Sequence, residues 1–375
     1  MKRNLLPLLL CLSLLLTGCS SILEREYRSV SRHVSQTSDA DDTSALRVEN
    51  YSDLVNSVQY FVSAGETEGI VHLYQYSGDV EQDLESAAQE VLTRDPLGSW
   101  ALRDIQFSWS RIVSYYECVF TFDYRRSAEE IDSLDTIVGS SAIRQALQET
   151  LADYSASLLL ETNSYYADKE LLLALIREAY YASPGTAMGY PGVTINIYPE
   201  DSSATWRIVE LRFSYSKNQS VLQQQAQQVL AEAAALTGAA PGEGEVGCWL
   251  LYSRLSEKMN YASDGSASVY AALVNGTTDS QGAALAYHLL CSRAGIQCTT
   301  VQGTLDGTPH WWNLVEIDGL WRHVDVTAGD DQESFLRTDS QMTERYIWDQ
   351  SGYPQCPDTL PETEEAAPTT AAQTE

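Results

Sequence analysis

Positive charge is what this sequence has least of. Its 375 residues include 23 Lys and Arg against 52 Asp and Glu, a formal net charge of −29. No basic stripe offsets that field, so nucleic-acid binding is excluded and anionic headgroups are disfavoured as an electrostatic docking surface. Long apolar runs are also scarce. The clearest, Leu5 to Leu16, falls short of the roughly 20 apolar residues that a membrane-spanning helix needs. Seven cysteines occur, but none forms a CxxC pair or a His/Cys cluster with zinc-site spacing. No structural metal or cofactor is therefore indicated. What is present is an ordinary 44% of hydrophobic residues, enough to bury normal cores, in a length that suits two to three domains.

Met1-Lys2-Arg3 followed by the Leu5–Leu16 run has the form of an export signal. It ends in Leu16-Thr17-Gly18-Cys19, which resembles the bacterial lipoprotein signal. The resemblance implies cleavage after Gly18, so that residues 1–18 are removed and Cys19 carries the diacylglyceryl group. The mature chain would then sit outside the cytoplasm, held to the cell membrane by lipid. An ordinary secretory signal is the other reading, and it gives the same compartment. Beyond Cys11 and Cys19 there remain Cys118, Cys248, Cys291, Cys298 and Cys356. Five is odd, so at least one stays unpaired in a monomer. Spacing leaves the pairing open, with Cys291–Cys298 one option.

The polar stretch 19–47 reads as a disordered tether, and 357–375 as a disordered acidic tail. Residues 48–235 form two related α/β units with antiparallel strands, of unassigned role. The first unit has helices near Leu54–Val62 and Leu84–Leu92, then strands Ala101–Trp109 and Ile112–Tyr124. The second has a helical stretch Ile143–Leu160 leading into Glu170–Tyr181, then strands Val193–Tyr198 and Trp206–Tyr215. Phe122-Asp123-Tyr124-Arg125 and Phe213-Ser214-Tyr215-Ser216 close the two units alike, which points to a degenerate duplication. No catalytic constellation falls here, and the tyrosines of this half read as sheet packing.

A Gln/Ala-rich helix over 218–238 precedes Pro241-Gly242, taken as the boundary of a domain over 236–356. Within it, Thr278 or Asp279 would cap a helix opening at Ser280 and ending at Gly295. Strands follow at Cys298–Gly303, His310–Ile317 and Trp321–Val326, with Asp318-Gly319 as the hairpin turn. The order Ser280-Gln281-Gly282, Val301-Gln302-Gly303, His310-Trp311-Trp312-Asn313, Ile317-Asp318-Gly319, Trp321 and Val324-Asp325-Val326-Thr327 resembles the bacterial transglutaminase-like domain. It covers about residues 240–356. It implies an α+β, papain-like core with a Cys-His-Asp triad, whose His falls on His310 and whose Asp falls on Asp325.

The nucleophile position departs from that pattern, because Ser280 stands where the family has Cys. A thiolate gains from a helix N-terminus and an imidazolium, whereas a serine hydroxyl is too basic to gain much. The expectation is a lipoprotein whose transglutaminase-like domain binds a peptide, a cell-wall component or a surface protein without turning it over. Gln281, Trp311, Trp312, Trp321 and His323 are the candidate binding residues. Two alternatives stay open. One is a serine peptidase or amidase using Ser280, His310 and Asp325, and the other places the function in residues 48–235 with a structural C-terminal domain.

Overall fold

The computed structural model describes residues 44–200, 204–238, 242–328 and 334–358. Cys19, the signal segment and almost all of the tail call lie outside them. The chain is α+β and divides into two compact units. No helix among the described residues is long and apolar enough to cross a membrane.

The first unit takes residues up to Thr150 together with 155–177 and 192–214. Its opening repeat runs β1 (Ala45–Val48), α1 (Tyr51–Ser63), β2 (Glu68–Tyr74), α2 (Val80–Arg94), β3 (Leu102–Arg111) and β4 (Tyr115–Tyr124). Asn50 starts α1 by accepting the Asp53 N–H, and Asp79 does the same for α2 from Gln82. Leu54, Val58 and Phe61 of α1 and Leu84, Ala88 and Val91 of α2 recur at helical spacing and pack on Leu73 and Phe120 of the sheet. The expected tether ends earlier than residue 47, at strand β1. Residues 45–47 pair in parallel with β2, because Ala45, Leu46 and Val48 bury apolar side chains that a tether would leave in water.

The second repeat runs β5 (Asp135–Thr136), α3 (Ser140–Ala152), β6 (Ser157–Asn163), α4 (Lys169–Ala182), β7 (Gly192–Tyr198) and β8 (Trp206–Ser214). Its sheet order, β5-β6-β8-β7, repeats the β1-β2-β4-β3 of the first, with one parallel pair followed by two antiparallel ones. The single helix read over Ile143–Leu160 is in fact α3 and β6. Tyr154, at φ 55°, turns the chain between them. Leu158-Leu159-Leu160 is a short unbroken apolar run, a pattern that fits a buried strand as well as a helix.

The second unit takes 151–154, 178–191 and everything from Tyr215. It contains α5 (Gln219–Thr237), α6 (Gly244–Lys258), the short parallel pair β9 (Asn260–Tyr261) and β10 (Thr277–Thr278), and α7 (Ser280–Arg293). The division therefore falls earlier than the 235/236 boundary read from the sequence. Helix α5 packs on α7, so its apolar stripe of Leu222, Ala226, Val229 and Ala233 serves the second core. Residues 280–291 of α7 are all buried, which makes it a central helix. Against it lies an antiparallel sheet ordered β14-β13-β12-β11-β15, with β11 (Cys298–Leu305), β12 (Thr308–Ile317), β13 (Leu320–Val324), β14 (Phe335–Arg337) and β15 (Tyr346–Trp348). Asp318 at φ 52° and Gly319 at φ 79° make the β12–β13 turn, both left-handed as a two-residue hairpin requires.

Candidate functional site

Asp279 caps α7 by accepting the Gly282 N–H at 2.9 Å, which fixes Ser280 in the first helical turn. Gly282 is needed there, since a Cβ would strike the Thr278 side chain and the Ser268 backbone. Burial pushes the Asp279 carboxyl up, and the backbone N–H groups of Gly282 and Gln281 work against that. Ser280 is only 4% exposed, and its Oγ accepts the backbone N–H of Trp311 at 3.3 Å. Among the described residues no hydrogen bond joins Ser280 to His310.

His310 stands near the start of β12 and Asp325 just past the end of β13. Their side chains meet at 2.7 Å, Nε2 to Oδ2. Asp325 also receives the Tyr346 hydroxyl at 2.8 Å and, from Thr327, the N–H at 2.9 Å and the hydroxyl at 2.7 Å. Burial at 1% exposure pushes this carboxyl up, but the hydrogen bond and charge of His310 and the two Thr327 donors outweigh it and hold it below the usual range. The Tyr346 phenol is raised in turn by burial and by the Asp325 charge. An acceptor with four donors is an anion, so His310 presents an Nε2 proton to it and turns Nδ1 away. Among the described residues Nδ1 has no hydrogen-bond partner. The pair can thus orient a base, while the hydroxyl it would serve is engaged by the Trp311 N–H.

Gln281 and Trp311 converge on one atom. Gln281 Nε2 at 3.2 Å and Trp311 Nε1 at 2.9 Å both donate to the hydroxyl oxygen of Tyr181, at the C-terminal end of α4. Tyr181, Thr327 and Tyr346 were missed by the sequence reading. Thr327 stood in the quoted Val324–Thr327 motif and could have been found there, but nothing in the spacing places Tyr181 at this site.

Among the described residues Trp312, Trp321 and His323 make no hydrogen bond to Ser280 or Gln281, although the Trp312 ring stacks on His310 with centroids 6.3 Å apart. Trp312 is fully buried, and its indole N–H donates to His323 Nδ1 at 2.9 Å, while Trp321 packs against the same cluster. Trp312 belongs to a buried cluster with Val301, Leu314 and Tyr346, and Trp321 is partly buried against it. Gly303 makes room for the indole, since a Cβ there would meet the Trp312 ring.

His323, Asp339 and Cys356 bring one ligand-type atom each within 4.8 Å of the others, a cluster invisible in sequence because the three lie far apart along the chain. The donor set does not fit a metal. With Trp312 N–H pointing at Nδ1, the imidazole must carry its proton on Nε2, where it meets Asp339 Oδ1 at 2.9 Å. A metal-bound histidine instead donates from its other nitrogen. Burial lowers the His323 pKa despite Asp339, and burial pushes the Cys356 thiol up to about 12. Cys118, Cys248, Cys291, Cys298 and Cys356 are all free thiols, and Cys291 and Cys298 hydrogen bond rather than bridge.

A groove of about 440 Å³ opens beside the dyad. Thr327, which holds Asp325, is at one edge, and Trp249, Tyr252 and Glu257 of α6 with Tyr261 of β9 form much of the rest.

No family model and no curated protein matches the chain. Among solved structures it is similar to a TGase at 10% identity and a TM-score of 0.24, over 70% of this chain and 51% of that one. It is also similar to a provisionally named cysteine protease from Cytophaga hutchinsonii, at 9% identity and a TM-score of 0.26, over 42% of this chain and 65% of that one. A provisionally named protease from Parabacteroides distasonis follows at 8% identity and a TM-score of 0.24, over 58% and 46%. The chain spans about half the length of the first of these. Likenesses at these TM-scores carry no argument about the site, which rests on its side chains.

Proposed function

We propose that the second unit is a transglutaminase-like domain that binds a ligand without turning it over, in a lipoprotein held outside the cell membrane through Cys19. The ligand class is a peptide, a cell-wall component or a surface protein. One observation supports the non-catalytic reading above the rest. Ser280 Oγ is engaged by the Trp311 N–H at 3.3 Å and makes no hydrogen bond to His310, and a serine without a base beside its proton is a poor nucleophile. The Tyr181 hydroxyl adds to this by occupying the side-chain N–H donors of Gln281 and Trp311.

The serine hydrolase alternative has the open Nδ1 of His310 in its favour. One experiment separates the two. Full-length chain and Ser280→Ala are treated with a serine-directed fluorophosphonate and read by intact mass. Equal, background labelling of both is expected. Labelling of the unmodified chain that vanishes in Ser280→Ala would establish the hydrolase. Ser280→Cys places a softer, more acidic nucleophile on the same helix N-terminus, and its alkylation rate by iodoacetamide reports whether the His310–Asp325 dyad can activate it.

A further inference from the structure

The groove beside Thr327 has a chemistry that selects its ligand. Trp249 is 40% exposed and Tyr261 47%, large values for aromatic rings in a concave place. The Trp249 ring lies parallel to Tyr252, with centroids 5.4 Å apart at 14°, and is braced edge-on by Phe335 at 5.1 Å. The ring is therefore braced by two neighbours and still partly exposed in the groove. Farther along the same side of α6 come Ser253, Ser256 and Glu257, whose hydroxyls and carboxylate have no protein partner among the described residues.

Among the described residues no lysine, arginine or histidine lines the groove. The two cations of α6 nearest to it are occupied. Arg254 donates to the carbonyls of Leu236 and Thr237, and Lys258 pairs with Glu232 at 2.8 Å. A ligand bearing carboxylate or phosphate would meet Glu257 with nothing to offset it. A cation would use one ring face and the Glu257 carboxylate, but it would leave the Ser253 and Ser256 hydroxyls without partners. A partly exposed ring flanked by two hydroxyls and a carboxylate suits a neutral ring with apolar C–H faces and hydroxyls at its rim, which is the chemistry of a pyranose. The row from Trp249 to Glu257 spans about 12 Å of helix, room for roughly two such rings.

We infer that this groove is a saccharide-binding site for an uncharged oligosaccharide that stacks on Trp249 and hydrogen bonds to Ser253, Ser256 and Glu257. The inference rests on the binding reading of the second unit and narrows its ligand to a glycan.

The test is titration of the full-length chain with the uncharged β-1,4-linked N-acetylglucosamine tetramer, read by tryptophan fluorescence and calorimetry, with tri-lysine peptide alongside. Saturable binding of the tetramer is expected, weakened about tenfold or more by Trp249→Ala and by a smaller factor by Tyr261→Ala. Adding about 0.5 M salt should leave it unchanged, because the ligand carries no charge. Tyr261 is exposed, so its variant tests the groove even if Trp249→Ala fails to fold. Absence of tetramer binding, binding that neither variant weakens, or a preference for tri-lysine abolished by salt would each overturn the assignment. Fluorophosphonate labelling of Ser280 would remove the non-catalytic reading and leave this titration as it stands.

Discussion

Two His–Asp pairs sit in the same small sheet, and they differ in what the second ring nitrogen does. His310 meets Asp325 at 2.7 Å and His323 meets Asp339 at 2.9 Å. In the first pair Nδ1 is left open, in the same part of the fold as the α7 N-terminus. In the second it accepts the Trp312 indole N–H. A histidine with one nitrogen free can work as a base or a ligand, whereas one with both nitrogens taken can only brace the fold. The distances alone would not separate them.

The sharpest way to break this comparison is to remove the anion of the first pair. Asp325→Asn leaves the donors of His310, Tyr346 and Thr327 facing an amide that can satisfy only some of them. Urea unfolding should show a loss of about 3–5 kcal/mol, as when one partner of a buried ion pair is deleted. Asp339→Asn, at a side chain 28% exposed, should cost clearly less. Equal losses would mean that the two pairs play one structural part.

A third histidine sharpens the contrast through pH. Burial lowers His288 to about 4 from the ordinary 6.5. Because the folded value lies below the unfolded one, its stabilising contribution is complete above pH 6.5 and is lost as pH falls towards 4. The sum is about 3 kcal/mol. Asp325 is held below the usual range, so its contribution is present above about 3.9 and fades only below that. Stability measured from pH 7 to 3 should therefore fall in two windows, and His288→Gln should flatten the upper one. An unchanged slope in that variant would assign the window to other groups.

The smallest expected effect is the most specific. Trp312→Phe deletes the donor to His323 Nδ1 and should cost about 1–3 kcal/mol for the buried acceptor. In the unmodified chain, nitrogen chemical shifts should show His323 protonated on Nε2 alone, and the variant should lose that preference. A His323 already mixed between tautomers would return the His323–Asp339–Cys356 cluster to the list of metal candidates.

Local order was legible where one residue type does one job. The Asp279 cap and the Asp318-Gly319 turn follow from hydrogen-bonding capacity and backbone preference, and most helices of the first unit follow from apolar spacing. The run Leu158–Leu160 was not legible, because an unbroken apolar stretch has no period to read. His310, Asp325 and Ser280 could be named from motif order. Their states could not, since those depend on Thr327, Tyr346 and the Trp311 backbone.

By itself the sequence determined the charge of the surface, the identity of the residue at the α7 N-terminus and the order of the elements. Each is a property of composition or of neighbours along the chain. Only the tertiary structure decided that His310 keeps one nitrogen unpartnered while both of His323 are taken, that Ser280 is held by a backbone N–H, that Tyr181 takes the Gln281 and Trp311 donors, and that Trp249 rather than Trp312 or Trp321 lines a groove. Those are outcomes of packing between segments 11 to 130 positions apart, and no local rule carries that information.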